Sequence, residues 1–578
     1  MNKISTLKKI FYYIKKYPVS VFLSLLFALI AVILTLYIPI IIGRATDCII
    51  GKGKVDFDAI TALLAKVAII ASATAVLQWV MNVLNNRIVF NVTKDLRHDA
   101  FQKAIKLPIK YIDSHAHGEI VNRITSDVEQ IADGLLLGFS QGFSGIVTII
   151  ATIFFMVSVN YKIAFAVILI TPLSFFCAKF IASHTYEMFS KRSKLQAEQT
   201  AFINEMIGNQ KTVKAFSYEK KATEEFDKIN ERLEKAALSA IFFSSLTNPA
   251  TRFINSVIYA VVGLFGALSA ISGNLTVGGL VCFLSYANQY TKPFNEISGV
   301  ISEMQNALAC AARVFELTGE KEEIPDSPNG LELNAVRGDV KLDNVYFSYS
   351  DDKKLIENLN LNIKQGLHVA IVGPTGCGKT TLINLLMRFY DVDRGIISVD
   401  GQNIKAIKRK SLRKSYGMVL QDTWLKSGTV KENIAMGKED ATDDEIILAA
   451  KAAHADSFIK RLPKGYDTYI TEEGGNISEG QKQLLCIARI MLCLPPMLIL
   501  DEATSSIDTK TEQKIQKAFD SLTVGKTSFI VAHRLSTIMG ADVILVMRDG
   551  KIIEQGTHKE LLSKQGFYSH LYNSQFEE

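Results

Sequence analysis

The sequence predicts a membrane α-helical domain, six transmembrane helices with long cytoplasmic extensions, fused to a soluble α/β domain built on a parallel sheet. Three observations carry that prediction. Charge-free apolar runs crowd the first half of the chain and end near residue 291. From about Gly338 short β-rich runs alternate with helical stretches and glycines, the pattern of strands joined by helical crossovers. The 578 residues are 48% apolar and 21% charged, and a mean hydropathy of +0.18 is an average over two unlike halves. The length also exceeds what one hydrophobic core serves. So apolar a chain offsets its ordering entropy by burial, which excludes disorder as the dominant state. The 36 Gly and 12 Pro follow no period, which excludes a collagen-like chain. A net charge of +6 is mild for this size and argues for no nucleic-acid partner. The seven cysteines show no C-x-x-C spacing and read as reduced thiols.

The apolar runs define the helices in order. Residues 17–43, 67–86, 135–161, 163–178 and 253–291 carry no charge, and a bilayer core of about 30 Å needs about 20 such residues in a helix. The last run is long enough for two spans, with Ser272-Gly273-Asn274 as the turn. The short run 163–178 is flanked by Lys162 and Lys179, whose side chains can snorkel to the interface. The expected helices are therefore about 18–43, 58–86, 135–159, 162–183, 240–270 and 276–300. An even number puts both ends on one side. Lys3, Lys8, Lys9, Lys15 and Lys16 make that side the cytoplasm. Leu7, Ile10, Phe11 and Ile14 at helical spacing predict an interfacial helix ahead of the first span. That span is too long for a cleaved signal peptide.

Residues 87–134 and 184–239 are long, charged and helix-patterned, with few Gly or Pro. They read as helices continuing into the cytoplasm and coupling to something there, or else as globular inner loops. Arg252, Lys292 and Glu296 fall inside the apolar zone. Ionisable residues there either face a polar cavity or, for Lys292 and Glu296 at i and i+4, satisfy each other, with Pro293 bending the helix.

In the second half, 368–372 is a short apolar strand candidate. It runs into Gly373-Pro374-Thr375-Gly376-Cys377-Gly378-Lys379-Thr380-Thr381 and then a helical stretch. This is the phosphate-binding G-x-x-x-x-G-K-[ST] loop in its strand–loop–helix setting. Its glycines let backbone N–H groups turn inward on phosphate oxygens, and the helix N-terminus adds its positive end. Lys379 is expected at the β- and γ-phosphates of ATP, and the Thr380 hydroxyl on Mg²⁺. The apolar run 497–500 ends in Asp501-Glu502. Asp501 is expected to hold Mg²⁺ through water, and Glu502 to act as general base toward the attacking water. The charged, Pro-containing stretch 316–328 reads as a linker. The expected division is 1–318 membrane domain, 319–337 linker and 338–578 nucleotide-binding domain.

Between these two elements, Ile477-Ser478-Glu479-Gly480-Gln481 resembles the LSGGQ signature that separates ATP-binding cassette (ABC) proteins from other phosphate-loop NTPases. The remaining family elements then fall into order. By that resemblance, Tyr349 matches the aromatic stacked on adenine, and Gln421 the residue that touches Mg²⁺ and the lytic water and senses the membrane domain. Asp508, in Ser505-Ser506-Ile507-Asp508, matches the D-loop, and His533 the switch histidine at the γ-phosphate. Taken singly, Tyr349 reads equally as a packed edge aromatic, Gln421 as a surface amide and His533 as a satisfied buried histidine. Six spans and one cassette resemble an ABC exporter half-transporter. Tyr111-Ile112-Asp113 with Gly118, Arg123 and Asp127-Val128 is similar to the family's first inner-loop pattern, beside a coupling helix.

One residue departs from the family pattern: Glu479 stands where the signature usually has Gly. In this family two cassettes sandwich two ATP molecules, each between one chain's phosphate loop and the other chain's signature. Ser478, Glu479, Gly480 and Gln481 are therefore expected at the partner's ATP, where a carboxylate is unfavourable unless it points away or is compensated. The resemblance implies a second half-transporter as partner, a heterodimer favoured over a homodimer. It also implies a multi-pass place in a bacterial plasma membrane with the ATPase domain cytoplasmic, and export by alternating access. An exporter-like importer and a non-transporting ATP-gated channel or regulator are the alternatives. The cargo, a small molecule, lipid or peptide, stays open.

Overall fold

A computed structural model describes residues 3–49, 55–350, 354–420, 423–471, 476–501, 507–531 and 538–576. The chain divides into two compact units, Met1–Lys106 with Ala116–Glu320, and Leu107–His115 with Lys321–Glu578.

The first unit is helical throughout its described residues, as a bilayer demands, because backbone groups find no water there and must pair within their own segment. Lys3–Ile14 forms the expected leading helix, and Pro18, at the first turn of Pro18–Asp47, starts the next with the φ it already holds. Its neighbour Phe57–Lys106 runs 50 residues, about 75 Å at 1.5 Å per residue, far more than a bilayer core. The third expected span becomes Ser126–Leu137, a π-turn at Gly138–Phe143, and Ser144–Val159. The fourth is divided at Thr171 into Tyr161–Ile170, capped by Asn160, and Pro172–Gly208, because Pro172 cannot donate to the turn before it. The fifth starts later than expected: Glu219–Ser245 ends one residue before Thr247–Ile271. The sixth is Val277–Gly319, with Pro293 inside it.

Four described stretches are long and apolar enough to cross a membrane: Pro18–Asp47, Phe57–Lys106, His117–Val159 and Arg252–Ile271. Tyr161–Ile170 is apolar but short. The sixth helix carries Asn288, Gln289, Lys292 and Glu296, which dilute its hydropathy. Of the two readings of its charges, self-satisfaction has geometry behind it, with Lys292 Nζ 3.7 Å from Glu296 Oε1. Arg252 is exposed.

Helix–helix contacts hold this unit by close approach and a few buried polar links. At one crossing Gly43 and Gly278 let two backbones meet: a Cβ on Gly43 would lie 2.5 Å from the Gly278 carbonyl oxygen, and one on Gly278 would overlap the Gly43 carbonyl. Beside it the Asp47 carboxylate accepts from the Gly278 N–H at 2.7 Å, an anion at a helix N-terminus. Tyr286, fully buried, donates to the Leu36 carbonyl at 2.7 Å. Further along, the buried Asp127 carboxylate takes both prongs of Arg313, at 2.8 and 2.6 Å. The leading helix is fastened by Tyr13 donating to Asp99 at 2.7 Å and by Lys9 over the Phe315 ring.

The second unit is the α/β domain. Its strands are β1 (Val340–Phe347), β2 (Ile356–Ile363), β3 (His368–Val372), β4 (Arg394–Val399), β5 (Gln402–Asn403), β6 (Tyr416–Val419), β7 (Gly428–Thr429), β8 (Tyr469–Ile470), β9 (Met497–Asp501), β10 (Thr527–Val531), β11 (Val543–Arg548) and β12 (Lys551–Gly556). An antiparallel sheet in the order β2-β1-β4-β5 packs against a six-stranded sheet in the order β12-β11-β3-β10-β9-β6. The latter is parallel apart from β12. Its central strand β3 reads as an unbroken apolar run after His368 because both faces are buried: Val369 and Ile371 join one core, Ala370 and Val372 another.

Two segments attach to this unit that the sequence reading placed elsewhere. The charged stretch expected as a linker is held down at its middle, because Arg409 is almost fully buried and a buried cation needs anions beside it. Its guanidinium meets Glu323 at 3.0 Å, Asp326 at 2.8 Å and the Ile324 carbonyl at 2.6 Å. The short helix Ile109–Asp113, from the first inner-loop pattern, also belongs here: Ile109 packs on the core, and Tyr390 donates its phenolic hydrogen to Asp113.

The Gly43–Gly278 crossing yields a stability test. Gly278→Leu forces two backbones apart, and overpacking of this kind costs about 1–3 kcal/mol; Gly299→Ala, where an added Cβ meets nothing within 4 Å, serves as control. After graded heating of detergent-purified protein, gel filtration should show the Gly278→Leu peak collapsing at lower temperature and the control unchanged. Equal survival of both would remove the crossing as a stabilising contact.

Candidate functional site

The site begins with register. Ile371 of β3 pairs with Val531 of β10, which pairs with Asp501 of β9, and Leu500 pairs with Val419 of β6. All four strands are parallel, so their carboxyl ends reach one edge of the sheet. At about 4.8 Å per strand, the carboxyl ends of β3, β10, β9 and β6 lie within about 15 Å of one another. In an open α/β sheet that edge is where ligands bind. Along the sequence, β3 is followed by the phosphate loop, β10 by the segment of His533, β9, which ends in Asp501, by Glu502, and β6 by the segment of Gln421. Gln421, Glu502, Ser505, Ser506 and His533 themselves lie outside the described residues.

The phosphate loop is described throughout. Gly378, at φ +103°, turns the chain into the helix Lys379–Leu386, a backbone shape that L side chains rarely adopt. Gly373 lies so close to the Met547 carbonyl that a Cβ would overlap it. The helix begins without a side-chain cap, leaving its first N–H groups free of side-chain acceptors. Lys379 Nζ lies over the loop, 2.8 Å from the Gly373 carbonyl and 3.1 Å from that of Pro374. Cys377 and Thr381 are buried, and Pro374, Thr375, Gly376 and Thr380 are exposed. An uncapped helix N-terminus, a glycine turn at Gly378 and an ammonium at the same loop fit a polyphosphate.

Tyr349 is brought to this loop. Its hydroxyl donates to Thr381 Oγ1 at 3.2 Å and accepts from Asn384 Nδ2 at 3.3 Å. Its half-exposed ring packs edge-on against Phe347 and Tyr390, with centroids 4.9 and 5.0 Å away. The packed-aromatic reading and the adenine-platform reading are thus compatible, since the ring is packed against its neighbours and still partly accessible. Asp501, at the end of β9, is partly buried.

The signature residues have duties within their own chain that the sequence reading missed. Ser478 and Gln481 form a capping box on the helix Glu479–Cys493: Ser478 Oγ accepts from the Gln481 N–H at 3.4 Å, and Gln481 Oε1 from the Ser478 N–H at 3.0 Å. The S-x-x-Q spacing is the sequence sign of that motif. Gly480 is where this helix meets the next, since a Cβ there would lie 2.5 Å from Thr511 Cγ2. Asp508 caps the helix Thr509–Thr523, accepting from the Thr511 N–H at 3.0 Å, and that bond holds its carboxyl below the usual range. Glu479 is bonded on both oxygens, to Thr423 Oγ1 at 2.6 Å and to Lys482 Nζ at 3.1 Å. Nothing local in the sequence announces the Thr423 contact, which spans 56 positions.

Comparison with known proteins completes the description. Residues 21–294 match the ABC transporter transmembrane region, and residues 356–505 match the ABC transporter family. The chain is 38% identical over 573 residues to an uncharacterized ABC transporter ATP-binding protein of Bacillus subtilis, covering 99% of this chain and 94% of the relative. It is 41% identical over 518 residues to a fatty acid ABC transporter ATP-binding/permease protein of Mycobacterium bovis, covering 90% and 82%. It is 34% identical over 581 residues to a putative multidrug export ATP-binding/permease protein of Bacillus subtilis, covering 99% and 100%. Among solved structures it resembles a bacterial Atm1-family ABC exporter with ATP bound, with TM-score 0.80 and 30% identity over 96% of this chain and 98% of that one. A helical unit bearing membrane-spanning stretches, a parallel-sheet unit with a phosphate loop, and end-to-end likeness to proteins that join both agree: the chain belongs to the ABC transporters, as a multi-pass membrane protein of exporter type that carries permease and ATPase on one polypeptide.

Proposed function

We propose that the chain is one half of a dimeric exporter that moves its cargo out of the cell by alternating access, driven by ATP hydrolysis at its own phosphate loop. The division of labour follows 1–318, 319–337 and 338–578. The observation that carries the reading is the in-register edge of the six-stranded sheet, where Asp501 and the phosphate loop emerge together. There the amides of Gly373–Gly378 and the Lys379 ammonium take the β- and γ-phosphates, and Tyr349 stacks on adenine. Thr380, Asp501 and Gln421 are the residues that would hold Mg²⁺, which when bound offsets phosphate charge. Glu502 draws the proton from the attacking water, and His533 faces the γ-phosphate. Ser478, Gly480 and Gln481 meet the partner's ATP, with Asp508 of the D-loop beside them. ATP favours the closed cassette pair, and its differential affinity sets how far the membrane halves shift.

Glu479 supports a heterodimer over a homodimer. A partner with a Gly-containing signature would complete this chain's competent site, while this chain's altered signature completes a weaker one. The relatives named for fatty acid transport and multidrug export favour an apolar or amphipathic cargo.

Two measurements test the reading. Lys379→Ala should abolish ATP-driven uptake of a labelled amphiphile into inside-out vesicles holding the purified complex; full transport by that variant would overturn the phosphate-loop assignment. Glu502→Gln, combined with an unaltered partner chain, should cut the rate of phosphate release by about 10²–10⁴, the usual worth of a positioned general base. A wild-type rate would show that Glu502 is not the base and that the weaker site is the one at this chain's own phosphate loop.

A further inference from the structure

Glu479 occupies the first turn of the helix Glu479–Cys493. The positive end of a helix accepts one anion well, and a built-in carboxylate competes there with an ATP phosphate. Yet this carboxylate is committed elsewhere. Thr423 donates to Oε1 at 2.6 Å, and the Lys482 ammonium lies 3.1 Å from Oε2, so both oxygens have partners within the chain. The Thr423 hydrogen bond, and after it Lys482, hold the carboxyl below its usual range, so the group is fully ionised at neutral pH. The lysine side chain is the more sheltered of the pair, 18% exposed against 51% for that of Glu479. An ion pair this open to water is weak by itself, and the directional hydroxyl bond is what fixes where the carboxylate points. Thr423 stands two residues after Gln421 on the segment that leaves β6. One hydrogen bond therefore ties the signature helix to the stretch of chain that carries Gln421.

We propose that Glu479 is a latched group controlling ATP acceptance at this signature: Thr423 and Lys482 hold the carboxylate off the phosphate position, and release of Thr423 turns it against the partner's nucleotide. Thr423 is then a positioning residue for ATP binding, acting through Glu479. The proposal rests on the reading that the signature meets ATP across a dimer.

The test is a cycle of four variants of the full-length chain, in the dimer it forms, reconstituted into lipid nanodiscs. The probe is 8-azido-ATP photolabelling of the chain opposite the signature, read as the half-saturating concentration. Thr423→Val should raise that concentration by about five- to tenfold, the latter equal to about 1.4 kcal/mol, and the rise should shrink in high salt as screening weakens the repulsion. Thr423→Ser, which keeps the hydroxyl, should match wild type. Glu479→Gln alone, and Thr423→Val combined with Glu479→Gln, should both sit at or below the wild-type concentration, and that rescue shows the single variant folded. Unchanged labelling in Thr423→Val overturns the latch while leaving the ATPase reading intact. So does a double variant as weak as Thr423→Val, which would make Thr423 structural. Absence of photolabelling in wild type would overturn the ATP-binding reading and the latch with it.

Discussion

The parallel ladder β3–β10–β9–β6 is the constraint on which the cassette depends. Parallel strands in register end at a common edge, and four chain segments leave that edge within a few strand spacings. Strand burial on both faces keeps the ladder from slipping, because a one-residue shift would exchange Val369 and Ile371 for Ala370 and Val372 between two different cores. The phosphate loop is a consequence of that placement. Its tight turn exists because Gly373 must pass the Met547 carbonyl of β11 and Gly378 must take a left-handed conformation before the helix begins. Strand ends more than a hundred positions apart reach one edge because the ladder aligns them.

The membrane unit answers to a different solvent. With no hydrophobic difference between helix surface and lipid tail, its helices hold together by close approach and polar links. Gly43 against Gly278, Asp47 on the N-terminus of the sixth helix and Tyr286 on the Leu36 carbonyl occur together along one pair of helices. The Asp127–Arg313 pair is of a third kind: the carboxylate is buried and the guanidinium half open, so the arginine satisfies the acid while its own charge stays partly in water. Removing the arginine leaves a buried anion, the expensive way to break such a pair.

Much of this was legible in order along the chain. Apolar runs of bilayer length, the G-x-x-x-x-G-K-T loop and the apolar strand before Asp501 are local patterns, and local patterns survive folding. The helix breaks were less legible. Pro172 signals the division at Thr171 and Pro249, with no N–H for the Ser245 carbonyl, accompanies the break at Leu246, yet the fifth helix was expected to start seven residues before it does, at 240 against Thr247. Composition marks the linker only as charged, and a buried arginine 83 positions away shows which of its charges are used. In the signature, Ser478 and Gln481 read as ligands of a partner's ATP, and they also cap their own helix. The two duties are compatible, since a cap positions the N-terminus that an anion would meet.

The sequence by itself determined the two solvents, the kinds of element and the chemistry available, since hydropathy, period and motif depend on neighbours a few positions apart. It also flagged Glu479 as an anomaly, an anion where a glycine is usual. Only the tertiary structure decided what that anion touches. The Thr423 hydroxyl reaches it across 56 positions, and Arg409, Tyr390 and Asp113 find partners over comparable or greater spans. Such contacts are set by how strands and helices stack, and a hydrogen bond across so long a span leaves no trace in the sequence around either of its ends.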